Sequence, residues 1–531
     1  MRTFHKPVAL VTLLLAACML LTACGDEPTS TAPDPQDAVA YLDSGSARYD
    51  QGDLTGAISD YDQAIALDPT NADTYFWRGR VRYDQGDLMG AISDYDQAIV
   101  LDPKMALAYA NRGFARHLQG DMAGAISDYN HAIALDPKIA EVYFERGRVR
   151  HLQGDLGVAI SDFDQAIALD PQDAAAYSNR GAARYDQGDV VGAISDYDQA
   201  ISLDPKMAVA YNNRGLAREA QGNLAGAMRD YDQAIALDPN YAVAHNNRGA
   251  ARYVQRDLAG AISDFDQAIA FGLKTAMVYV NRGLARYLQG DLVGAISDFD
   301  QAIALDPQDA LIYNNRGSAR ADQGDMVGAI SDYDQAIALD PNYAVAYVSR
   351  GFARSGQGNL VGAISDFDQA IALDPEMPLA YYNRGRARYK QRDMAGAISD
   401  FDQAIAMDPQ VAQAYNGRGN VLAEQGDLVG AMSDYDQAIA LDPNMASAYY
   451  GRGVTRYDQG DLSGAINDFD QVIALTPQNV DAYLWRGFAR NRQGDVAGAI
   501  DDLTRYLELA PNAADRAEVE EAIANLTNAN K

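Results

Sequence analysis

The chain is 531 residues long, 48% apolar and 22% charged, with a formal net charge of −31 at pH 7. That acidity argues against nucleic acid as a partner, because such affinity rests on lysine and arginine meeting phosphate. Its two cysteines, Cys18 and Cys24, exclude a disulfide framework or a cysteine-built metal cluster, and past the first forty residues no apolar run approaches the ~20 residues of a bilayer crossing.

At the N-terminus, Arg2 and Lys6 make a short positive start, and Val8 to Leu21 is an apolar stretch of signal-peptide length. It ends in Leu21-Thr22-Ala23-Cys24, which resembles the lipobox of bacterial lipoproteins. That resemblance implies a lipoprotein signal peptide over residues 1–23, cleavage before Cys24, a diacylglyceryl group on its thiol and often a further acyl chain, such as palmitate, on its new amine. Each buried methylene contributes ~0.8 kcal/mol, so more than one chain gives stable anchoring. Leu15-Ala16-Ala17-Cys18 fits the same pattern, but cutting there leaves Met19, Leu20 and Leu21 on the mature end, so Cys24 is preferred. An ordinary signal peptide or an uncleaved anchor stays open as the alternative. Gly25 stands where aspartate would favour the inner membrane of a diderm envelope; by the same resemblance this points to the outer membrane. Residues 24–37, polar and proline-rich, read as a flexible tether.

From residue 38 the chain repeats every 34 residues. One ladder runs Tyr41, Tyr75, Tyr109, Tyr143 and on through His245 to Tyr483; another runs Pro69, Pro103, Pro137 and on to Pro511. A fixed period of this size means stacked copies of one supersecondary unit. Residues 106–139 serve as a specimen. Tyr109, Gly113 and Ala115 lie on a first segment that stops at Gln119-Gly120-Asp121, glycine being a helix stop and aspartate a helix start. Met122, Ala125, Ile126, Tyr129, Ala132, Ile133 and Leu135 then form an apolar stripe at helical spacing, closed by Asp136-Pro137. Each repeat is therefore two antiparallel helices. The acidity belongs to the repeat: a typical copy carries Asp87, Asp94, Asp96 and Asp102 against Arg78 and Arg82, so it reads first as a solvated surface.

The pattern Tyr109, Gly113, Ala125, Tyr129, Ala132 and Pro137 resembles the tetratricopeptide repeat. The resemblance covers residues 38–511 as fourteen repeats and implies an all-α, right-handed superhelical solenoid whose first helices line a concave groove. Residues 512–531 then read as a C-terminal capping helix, with Val519, Ala522, Ile523 and Leu526 on one face. Where the family has an apolar residue and a bulky aromatic, this chain carries two arginines, as Arg112 and Arg116, in nearly every copy. They share the Tyr109 stripe, so they are expected to be partly buried and paired with the aspartates beside the central aromatic, such as Asp94, Asp96 and Asp128. At the seventh junction Ala270-Phe271-Gly272-Leu273 replaces the usual Ala-Leu-Asp-Pro, which is expected to loosen or re-angle the stack. Arg256 and Arg392 replace the turn glycine, at a cost of ~1 kcal/mol if that position is left-handed.

Two residues after the leading tyrosine, asparagine recurs at Asn179, Asn213, Asn247, Asn281 and Asn315, with Asn111 and Asn383 extending the series. Asparagine is a poor mid-helix residue, and its amide can both donate to and accept from the backbone of an extended peptide. The series resembles the asparagine ladder of O-linked N-acetylglucosamine transferase; duplication of a common scaffold variant is the other reading. Phe76, Trp77, Phe114, Phe144, Phe352, Tyr382, Tyr450, Trp485 and Phe488 fall on the same face, as partner anchors or as packing between repeats. Scattered Arg80, Arg148 and Arg386 do not match the carboxylate clamp of chaperone-binding relatives. His117 and His151 occupy equivalent places in neighbouring copies without carboxylate or cysteine company, so no metal or other cofactor is expected, and no phosphate loop, nucleophile elbow or zinc signature is present. The sequence thus reads as a non-enzymatic scaffold at the bacterial cell envelope that binds proteins or extended peptides and meets the membrane through lipid alone. The alternative is an accessory lipoprotein for envelope polysaccharide.

Overall fold

The computed structural model describes residues 38–529; Cys18, Cys24 and the tether lie outside the described residues. Glycine stops, aspartate starts and proline ends divide these residues into twenty-nine helices, numbered here in chain order from α1 (Ala38–Asp50) to α29 (Arg516–Ala529). They form fourteen antiparallel pairs and one terminal helix, with no strand among the described residues.

The specimen repeat shows why. Helix α5 (Ala106–Gln119) ends because Gly120 turns left-handed, at φ +89°. Asp121 then caps α6 (Met122–Leu135), its carboxylate accepting from the Gly124 N–H at 2.8 Å. After α6, Asp136 accepts from the Lys138 N–H at 3.0 Å, which turns the chain into the next copy. Between the two helices lies Tyr129, fully buried. A Cβ on Gly113 would stand 2.6 Å from Tyr129 Cε1, so the missing side chain is what lets α5 approach the ring.

The described residues divide into two compact bodies that part after Asp238. The first holds α1 to α12 (Leu224–Leu237), the second α13 (Ala242–Val254) to α29. In each body, every pair stacks on the next, and consecutive first helices also touch one another, whereas consecutive second helices make no comparable contact. The first helices therefore form the inner wall of each body. The last pair of the second body is closed by α29: Val519 is buried against Leu503 and Tyr506 of α28 (Val496–Leu509), with Ala522, Ile523 and Leu526 alongside.

The seventh junction is not loosened. Helix α14 (Leu258–Ala270) ends at Gly272, φ +94°, with the Leu273 N–H donating to Ala268 O at 2.9 Å. Leu273 packs onto Phe265, Val278 and Ala285, the last two from α15 (Ala276–Gln289). A glycine stop with its hydrophobic contact has replaced the proline stop. Arg256 and Arg392 do sit in the left-handed region, at φ 65° and 67°.

Candidate functional site: the inner faces of the first helices

The inner wall stands on an ionic frame. Arg112 Nε and Nη2 grip Asp128 at 2.9 and 2.5 Å, and its Nη1 reaches back to Asp96 of the preceding repeat at 2.5 Å. Arg116 Nη1 adds a further bond to Asp128 at 2.8 Å. Asp128 is only 1% exposed, so a buried carboxylate is satisfied by two guanidinium groups, one of them bidentate. The Arg112 guanidinium also lies 5.4 Å from the Tyr109 ring centre. The second body repeats the arrangement, with Arg384 on Asp400 at 3.0 and 2.6 Å, on Asp368 at 2.6 Å, and Arg388 on Asp400 at 2.9 Å. The expected arginine–aspartate ladder is present, and the outer aspartate of each pair links one repeat to the next. Where Asn130 replaces that aspartate, Arg146 Nη1 still reaches its amide oxygen at 2.6 Å.

The seven asparagines occupy one register of the first helices, in differing environments. Asn111 and Asn383 are buried, and Asn179, Asn213, Asn247, Asn281 and Asn315 are half-buried. The side-chain NH2 groups of Asn111, Asn179 and Asn383 turn back onto their own helices, donating to Leu107 O, Ala175 O and Leu379 O at 2.8–2.9 Å. The amide oxygens of Asn213 and Asn247 accept from Asn212 and Asn246 at 3.2 Å. Several amides thus already serve their own helix.

The aromatics divide as well. Phe76 is buried beside Tyr95, and Phe144 packs on Phe163. Phe352 stays 54% exposed and Trp77 38% exposed. Trp485 stands edge-on to both Tyr457 and Phe488.

Contacts that the linear reading missed concern carboxylates one repeat away. His151 Nε2 meets Asp186 Oδ2 at 2.7 Å, and Tyr287 OH donates to Asp322 at 2.5 Å. Tyr49 OH makes the equivalent bond to Asp84. All three spacings are one period plus one residue, a signal the sequence did contain. His117 Nδ1 lies 3.7 Å from Glu145. Both histidines therefore have carboxylate company, contrary to expectation, but with different carboxylates; among the described residues no three His, Cys, Asp or Glu side chains converge as a metal site.

Around Glu145 the first body matches charge with charge. Arg148 Nη1 grips Glu145 at 2.7 and 2.9 Å, and Arg80 lies 3.5 Å from Asp84. Burial, and after it the neighbouring Glu145 carboxylate, pushes Glu141 up to about 7.

The chain matches the family model described as TPR repeat over residues 45–86, 79–120, 115–154, 147–188, 183–222, 219–255, 283–324, 317–358 and 419–460. A second model, described as tetratricopeptide repeat, matches residues 353–410 and 448–514. The chain belongs to the tetratricopeptide repeat family. Among solved structures, this tetratricopeptide repeat chain is similar to MamA protein, with 29% identity over 32% of this chain and 93% of that one, TM-score 0.30. YrrB, a TPR protein with an unusual peptide-binding site, is 23% identical over 35% of this chain and 95% of its own, TM-score 0.32. The Cut9–Hcn1 hetero-tetramer of the APC/C gives 13% identity over 92% and 100%, TM-score 0.43. No curated protein matches the chain.

Proposed function

We propose that this tetratricopeptide repeat protein is a non-enzymatic scaffold that binds proteins or extended peptides along the inner faces of its first helices, held at the bacterial envelope by lipid on Cys24. The observation that carries the reading is where the copies differ. Frame residues such as Arg112, Arg116 and Asp128 recur almost unchanged, while the inner-wall position two after the leading tyrosine holds Trp77, Asn111, Glu145, Ser349, Gly451 and Trp485 in different copies. Variation at an inner-wall position set on a recurring frame suits recognition of a partner with a non-repeating sequence. Half-buried amides and exposed rings supply backbone contacts and apolar anchors there.

Cross-linking capture from intact envelopes tests this, comparing the wild type with a protein carrying alanine at Asn179, Asn213, Asn247, Asn281 and Asn315. Loss of at least one captured partner is expected; recovery of every partner unchanged removes the asparagines from the binding surface. For the anchor, the basic start, apolar middle and Leu21-Thr22-Ala23-Cys24 ending are the support. Cys24→Ala should move the protein into the soluble fraction. Continued membrane association that Cys18→Ala abolishes would reassign the lipid to Cys18. Retention in the outer-membrane fraction, against the inner, checks the reading of Gly25.

A further inference from the structure

The second body carries two adjoining clefts on its inner wall. One, of about 100 Å³, is lined by Phe352, Ser355, Phe367 and Asn383. The other, of about 220 Å³, is lined by Tyr382, Tyr389, Phe401, Gln413, Asn416 and Asn420. Both are also lined by Arg386 and Lys390, which stand one helical turn apart on α21 (Pro378–Lys390). The cation pair is therefore the shared rim of two pockets with aromatic floors.

The pair has no internal counter-charge. Helices α19 (Ala344–Gly356), α21 and α23 (Ala412–Gln425) contribute a single carboxylate, Glu424. That carboxylate is held by Arg392 Nη1 at 2.8 and 2.9 Å. Among the described residues neither Arg386 nor Lys390 makes an ion pair; Arg386 rests 5.6 Å from the Tyr382 ring centre. In a chain of net charge −31, Arg386 and Lys390 set two exposed positive charges side by side on the inner wall.

We propose that Arg386 and Lys390 receive the carboxylate side chain of an aspartate or glutamate within an extended peptide that places an apolar side chain in each flanking cleft. The inference rests on the peptide-binding reading above and assigns one of its subsites. Along an extended backbone, side chains two residues apart point the same way, so an acidic residue and apolar residues at that spacing on either side can face the wall together. The pockets on both sides of the cations select a residue inside the peptide over a chain end. Charge complementarity at this rim sets specificity and on-rate, and salt screens it.

The test uses fluorescence anisotropy with the full chain and labelled, N-acetylated, C-amidated Ser-Leu-Ser-Glu-Ser-Leu-Ser. The glutamate peptide is expected to bind at least tenfold tighter than its glutamine counterpart, with the difference shrinking as salt rises. The double variant Arg386→Glu/Lys390→Glu should reverse the preference toward a lysine peptide, and Arg386→Gln/Lys390→Gln should abolish it; helical circular dichroism checks that both still fold. Equal binding of glutamate and glutamine peptides overturns the subsite and leaves the groove reading intact. So does a glutamate preference that survives charge reversal. Tighter binding of the glutamine peptide with a free C-terminus moves the site to a terminal carboxylate, and binding of polygalacturonate in place of any peptide makes it an acidic-glycan site; either result overturns the proposal. Failure of envelope capture, a separate measurement, is what would sink the groove reading itself.

Discussion

The inner wall around Arg80 and Arg148 in the first body and the wall around Arg386 in the second are built on one frame and end with different charge balance. Arg148 is gripped by Glu145 and Arg80 lies beside Asp84, whereas Arg386 and Lys390 line two clefts without an internal carboxylate. The frames beneath them match closely: Arg112–Asp128 and Arg384–Asp400 have the same atoms paired, within about a tenth of an ångström. Duplication has preserved the frame, while the residues that the wall presents have diverged. Repeats built on one frame can thus carry different recognition chemistry without changing how their helices pair.

The strongest way to break that comparison is to remove the frame in each body. Asp128→Ala and Asp400→Ala each leave two arginines without their buried partner, and breaking such a pair costs about 3–5 kcal/mol. Because repeat arrays open locally, the loss should be read by hydrogen exchange in the affected pair of helices. Equal loss is expected at the two sites; a cost several-fold smaller at one would mean that identical geometry hides unequal energetics. A step below lies the glycine contact. Gly113→Ala places Cβ 2.6 Å from Tyr129, while Gly385→Ala places it 3.0 Å from Phe401. Overpacking costs about 1–3 kcal/mol, and denaturant unfolding should put Gly113→Ala at the upper end and Gly385→Ala at the lower.

The first body's crowding of carboxylates sharpens the contrast through pH. Glu141 is pushed up to about 7 in the folded state from the usual 4.5. Between these values the native protein binds more protons than the unfolded chain, so stability falls as pH rises from about 4.5 through 7. Glu141→Gln removes the penalty. It should stabilise α7 (Ala140–Gln153) by about 1–2 kcal/mol at pH 8, after allowance for its partial exposure, and change nothing at pH 4. The check is exchange protection of α7 at the two pH values. A gain that is equal at both pH values would detach the effect from ionisation.

The frame was legible in the sequence and the difference between the walls was not. Tyr109, Gly113 and Pro137 recur at a fixed period, and a buried arginine demands a carboxylate, so the helix pairs and the Arg112–Asp128 bond follow from local chemistry. The closure at Gly272 escaped because it depends on Leu273 finding Phe265 and Val278, a contact made only in three dimensions. Arg80, Arg148 and Arg386 looked alike in sequence. Their pairing is decided by neighbours on their own helix turn and on the next helix, as with Glu145 and Asp84, and by Glu424 being taken by Arg392. For the same reason the asparagines could be placed on one face but not divided into those bonded to Leu107 O, Ala175 O or Leu379 O and those bonded to a neighbouring asparagine.

The two turn arginines give the smallest and most discriminating contrast, because both sit in a left-handed turn and Arg392 also holds Glu424. Arg256→Gly relieves a left-handed backbone, offset by the entropy glycine loses on folding, for a net gain of about 0.5–1 kcal/mol. Arg392→Gly relieves the same strain but also frees Glu424, and so should stabilise less. A freed Glu424 would stand as an unneutralised anion on α23, opposing a carboxylate at Arg386 and Lys390. Binding of the glutamate peptide should therefore weaken a few-fold in Arg392→Gly and stay unchanged in Arg256→Gly. Equal affinity in the two variants would mean that the cation pair is insulated from Glu424, and that the second wall owes its character to the pair alone.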